Sequence, residues 1–121
     1  MLGWLIIISK QVPLPAEMPE RAYELARWET GLGGIDWIKR LVKEGKASQT
    51  LFGGYPLRFS AAARDVLPLI ESGPPPYEGL LRMRDDGPTR EGWNGPATID
   101  QAKIRECSPD QQLTIDAWDL S

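Results

Sequence analysis

The spacing of apolar residues along this chain switches repeatedly between period two and the helical period, in short runs. Trp4-Leu5-Ile6-Ile7-Ile8 is short, β-branched and apolar on both faces, the pattern of a central strand. Pro13 and Pro15 end regular structure after it. Pro19 suits the first turn of a helix. Ala22, Leu25 and Ala26 would give that helix one apolar stripe, with Glu20, Arg21, Glu24 and Arg27 on its wet face. A second helix carries Ile35, Ile38, Leu41 and Val42 at helical spacing, and Gly45 is placed to cap its end.

Between these two runs lies Trp28-Glu29-Thr30-Gly31-Leu32-Gly33-Gly34-Ile35-Asp36-Trp37. Glycine costs about 1 kcal/mol relative to alanine inside a helix, so the cluster needs a backbone reason. Either the chain turns sharply there or something approaches the main chain closely. The pattern predicts a helix–helix corner, with Trp28 and Trp37 stacked over it. At least one of Gly31, Gly33 and Gly34 is then expected at positive φ.

After residue 46 the pattern changes to sheet. Thr50-Leu51-Phe52 and Tyr55-Pro56-Leu57-Arg58-Phe59 flank Gly53-Gly54, a hairpin signal, with Pro56 at an edge or a first strand position. A helix with Asp65 as N-cap would hold Pro68 harmlessly in its first turn and stop at Gly73 and Pro74-Pro75-Pro76. Tyr77 to Met83 suggests a strand, and Arg84 to Pro96 a long loop pinned by Trp93. Asp100 is placed to cap a short helix that turns Ile104 inward. Leu113, Ile115 and Ala117 then alternate with Thr114, Asp116 and Trp118 in a final strand.

These elements predict an α+β fold, one domain over residues 1–121. Its mainly antiparallel sheet would have about four to five strands, with helices packed on one face and a front part compatible with a ferredoxin-like core. A chain of 121 residues with 41% hydrophobic content can bury a single core without staples. The lone Cys107 excludes an internal disulfide framework and suits a reducing compartment. The run from Trp4 to Ile8 is short for a signal peptide, and no stretch approaches the roughly 20 apolar residues of a membrane helix. A cytoplasmic protein without a membrane partner is expected.

The net charge of −3 argues against nucleic acid as the main partner. Lys39, Arg40, Lys43 and Lys46 gather at the end of the second helix, where cations complement the helix dipole. Without histidine there is no Ser-His-Asp or Cys-His system and no imidazole base. One cysteine and no histidine also remove most zinc, copper or iron sites, so no metal, cofactor or catalytic residue is assigned. Asp85-Asp86-Gly87 reads as a solvated turn, and Cys107 beside Glu106 as a small buried hydrophobe without an activator.

The glycine segment could cradle an anion at a helix start, but Asp36 occupies the third-glycine position of a dinucleotide fingerprint and would repel the anion. Glu29 and Asp36 could face each other across the corner, though spacing does not fix their separation. Five tryptophans are a high load for this length, and Trp93 and Trp118 are the better interface candidates.

The leading expectation is a non-enzymatic protein-binding module, similar in kind to an immunity protein or an inhibitor, with an acidic face that steers a basic partner. The alternative is a small-ligand protein or histidine-free isomerase or lyase at the glycine corner, with Arg58 pairing an anionic group and Tyr55 donating a proton or stacking. Candidate binding residues across both readings are Trp28, Glu29, Gly31, Gly33, Gly34, Asp36, Trp37, Tyr55, Arg58 and Trp93.

Overall fold

β-Branched side chains on both faces suit Ile6-Ile7-Ile8 to a covered strand, and β1 (Trp4–Lys10) lies inside the sheet. The computed structural model describes residues 3–11, 24–51, 56–75 and 94–119. The other strands are β2 (Glu24–Thr30), β3 (Ala47–Leu51), β4 (Leu57–Ala62), β5 (Asn94–Ile99) and β6 (Gln112–Asp119). They form one sheet in the order β3-β4-β6-β1-β2-β5, and every neighbouring pair is antiparallel. Among the described residues six strands replace the expected four to five. A ferredoxin-like core needs a parallel pair from its split βαβ unit, and no described pair is parallel.

Three helices contribute to one hydrophobic cluster: α1 (Asp36–Lys43), α2 (Ala63–Ile70) and α3 (Gln101–Glu106). Ile38 and Leu41, Val66 and Ile70, and Ile104 meet Ile6, Ile8, Phe59, Leu113 and Ile115 there. The helices therefore cover one face of the sheet, as expected. None among the described residues is long and apolar enough to cross a membrane.

The main correction concerns residues 24–30, which form β2 and not the end of a helix. Ala26, Trp28 and Thr30 alternate with Arg27 and Glu29 and pair in register with Ile8, Ile6 and Trp4. A bulge opposite Ile8 and Ser9 lets Leu25 and Ala26 both enter the core. Two adjacent apolar residues therefore mimic a helical stripe. The earlier part of that expected helix lies outside the described residues.

The glycine segment consequently joins a strand to a helix, through a 3-10 turn over Leu32–Ile35. Gly31 has φ −76°, and neither Gly33 nor Gly34 has positive φ, contrary to expectation. The left-handed glycine here is Gly45 at φ +78°, which ends α1 as expected. Its N–H donates to Val42 O and the Lys46 N–H donates to Leu41 O, a Schellman closure.

Helix α2 begins at Ala63, two residues before Asp65, so Pro68 sits in its interior. Backbone groups from the loop before β6 satisfy its first turn: the Ala63 N–H donates to Gln111 O and the Arg64 N–H to Pro109 O. Buried Ala63, Val66, Leu67 and Ile70 anchor it. Asp100 caps α3 as expected, accepting from the Lys103 N–H at 3.0 Å.

The β3–β4 hairpin starts earlier than its sequence signal, and its Gly53-Gly54 turn lies outside the described residues, as does the expected strand from 77 to 83. β5 replaces the end of the expected long loop. It is an edge strand among the described strands, where Pro96 is tolerated, and its register with β2 shifts beside that proline.

Candidate functional site

The glycine corner is filled by its own side chains. Trp28, on β2, and Trp37, in the first turn of α1, stack with centroids 6.2 Å apart and planes 28° apart. Both are buried, as are Gly33, Gly34 and Ile35. A Cβ on Gly34 would collide with the Thr30 side chain, so the close approach of neighbouring atoms, and not a left-handed turn, requires glycine there. Glu29 and Asp36 are exposed. By alternation Glu29 points to the face away from Trp28, whereas α1 packs on the Trp28 side, so the two carboxylates are not brought together.

Arg58 is not at this corner. It lies on β4, with β6 and β1 between it and β2, and on the face opposite the described helices. Tyr55 and Trp93 lie outside the described residues.

Strand register makes that opposite face an ordered grid. Its middle row runs Arg58, Asp116, Ile7, Arg27 across β4, β6, β1 and β2. One row along lie Ser60, Thr114, Ser9 and Glu24, three hydroxyls side by side and a carboxylate. In the other direction lie Trp118, Leu5 and Glu29.

Two ion pairs hold the middle of the grid. Arg58 Nε donates to Asp116 Oδ1 at 2.7 Å and Nη2 to Oδ2 at 3.2 Å, a two-pronged pair on a fully buried carboxylate. The bulge in β2 turns Glu24 onto the same face as Arg27, and Arg27 Nη2 donates to Glu24 Oε1 at 2.8 Å. Hydrogen bonds to that carboxylate hold the Arg27 guanidinium above its ordinary pKa, against the opposing effect of burial. The Ser60 hydroxyl contacts the side-chain oxygens of Gln11 at 3.2 Å and Gln112 at 3.4 Å.

Two polar atoms on this face have no hydrogen-bond partner: the buried Ser9 hydroxyl and the buried indole N–H of half-buried Trp118. Buried donors are normally satisfied, so each of these carries an uncompensated desolvation cost. The sequence marks Arg58 as a site residue and places Asp116 on the polar side of its strand, and nothing in it joins Ser9 or Glu24 to a site. Only the pairing of β4 with β6 joins Arg58 to Asp116, across 58 positions.

Among the described residues no group of three or more acidic or cysteine side chains is placed to hold a metal ion. The arrangement offers hydrogen-bonding groups, fixed charge pairs and a half-covered aromatic, the means of recognition. No protein-family model, curated protein or solved structure matches this chain.

Proposed function

We propose that this chain is a non-enzymatic module that binds another protein through the sheet face opposite the described helices. The supporting observation is the row Trp118, Leu5, Glu29 across β6, β1 and β2. A half-buried indole with an unpartnered N–H stands beside a half-buried leucine and an exposed carboxylate. Aromatic residues of this kind supply the energetic centre of interfaces, and a neighbouring charge sets approach and register. Glu29, on a chain of net charge −3, favours a basic partner surface such as that of a nuclease or nucleic-acid-binding enzyme. The module would act as an immunity protein or inhibitor does, by covering that surface.

The test is affinity capture from the native host at low and moderate salt, using the wild type, Trp118→Ala and Glu29→Lys in parallel. We expect one stoichiometric basic protein on the wild type and its loss from both variants, with far-ultraviolet circular dichroism unchanged. Recovery of no stoichiometric partner, or equal recovery on all three, would overturn the proposal.

A further inference from the structure

We propose that the partner seats an arginine on the row Trp118, Leu5, Glu29, with its methylenes over Leu5 and its guanidinium on the Glu29 carboxylate. The proposal rests on the binding face argued above and names the group that meets its charge. The described strand residues of that face carry five charged side chains: Glu24, Arg27, Glu29, Arg58 and Asp116. Four of them cancel in pairs. Arg58 holds buried Asp116, and Arg27 donates to Glu24 from Nε at 3.2 Å to each oxygen and from Nη2 at 2.8 Å. Glu24 lies one row beyond Arg27 on the side away from Glu29, so the Arg27 guanidinium is turned from Glu29. Glu29 is exposed and makes no ion pair with a described residue. It is the uncompensated charge of this face among the described residues.

The neighbours of Glu29 select the cation. Adjacent strands lie about 4.8 Å apart, so Trp118 and Glu29 stand about 10 Å apart with half-buried Leu5 between them. An arginine laid along the row covers Leu5 with its stem, and its planar fork can bond both carboxylate oxygens. A guanidinium is more weakly hydrated than an ammonium, so placing it beside Leu5 and Trp118 costs less desolvation than lysine would. A second copy of this chain is a poorer occupant through the same face. Both arginines there already hold carboxylates, and two Glu29 charges would oppose each other.

The probes are blocked glycine pentapeptides with one central arginine, lysine or citrulline, titrated into isotope-labelled protein. By amide chemical shifts we expect the arginine peptide to perturb Leu5, Glu29 and Trp118 with millimolar affinity, about fivefold or more tighter than the lysine peptide. Citrulline keeps the shape without the charge and should lose about fivefold or more, as should Glu29→Gln with the arginine peptide. Glu106→Gln removes an exposed carboxylate on α3 and should bind as the wild type does, which separates the site from general attraction to an acidic chain. Equal binding of the lysine and arginine peptides, shifts that spare Leu5, Glu29 and Trp118, or no binding at millimolar concentration would each overturn the proposal. Partner capture uses no peptide, so those outcomes leave the protein-binding reading standing. Capture of no partner alongside a clear arginine preference would do the reverse, removing that reading and keeping the arginine seat. Sedimentation of the free protein as a dimer that Glu29→Lys dissociates would also overturn the proposal, by making a second copy the occupant.

Discussion

A Cβ on Gly34 would lie 2.6 Å from Thr30 Cβ and closer still to Thr30 Oγ1 and Cγ2. Thr30 is fully buried at the end of β2, and a Cβ on Gly3, just before β1, would collide with its carbonyl oxygen. Two glycines therefore make room for one threonine. Gly34→Ala should destabilise by about 2–3 kcal/mol, the usual cost of overpacking a filled site. Thr30→Ala added to it should recover part of the loss. Urea unfolding of the wild type and the two variants checks this, and a wild-type midpoint for Gly34→Ala would refute the contact.

The corner is legible in the sequence, but its strand neighbour is not, for a definable reason. Ala26, Arg27, Trp28, Glu29 and Thr30 alternate as a strand should, and the adjacent Leu25 obscures the alternation. A bulge that buries two successive residues cannot be read from one strand, because it is defined by the partner strand. Elements that carry their own punctuation were legible: α1 with Gly45, α3 with Asp100, and β6 with its clean period of two. The Arg58–Asp116 pair was illegible because register between distant strands creates it.

That pair should dominate the response of the sheet face to mutation. The Asp116 side chain is 1% exposed and Arg58 is 21% exposed, so removing the arginine strands a buried carboxylate. Arg58→Ala should cost about 3–5 kcal/mol. Replacing both with apolar residues, Arg58→Met with Asp116→Leu, should cost much less than the single change, since neither charge is then buried alone. A double variant as unstable as Arg58→Ala would show that the pair's other contacts matter more than its charge.

Pro68 offers the opposite sign. It lies in the interior of α2, where it lacks an N–H for the Arg64 carbonyl and crowds it, and it is exposed. Pro68→Ala should stabilise by about 1–2 kcal/mol, after allowing for the greater freedom of the unfolded chain. The thermal midpoint would rise. An unchanged or lower midpoint would mean that the helix gains nothing at this position, and that its tertiary anchors at Ala63 and Arg64 determine its geometry.

The indole N–H groups of Trp118 and Trp37 separate binding from packing. Both are buried without a hydrogen-bond partner, but Trp37 stacks on Trp28 under α1 whereas Trp118 belongs to the opposite face. An unsatisfied buried donor costs about 1–3 kcal/mol, so Trp118→Phe removes a penalty while giving up part of the indole's contact area. We expect its stability to stay within about 1 kcal/mol of the wild type. If the accessible part of the indole packs against the partner, affinity for the captured partner should fall several-fold, since phenylalanine offers a smaller ring. Trp37→Phe should do the reverse, lowering stability by loosening the stack and leaving affinity unchanged when measured on the folded fraction. Calorimetric titration paired with urea unfolding reads both quantities on each variant. Equal affinity for Trp118→Phe and the wild type would remove the indole ring from the interface, and weaker binding by Trp37→Phe would move the contact surface back to the glycine corner.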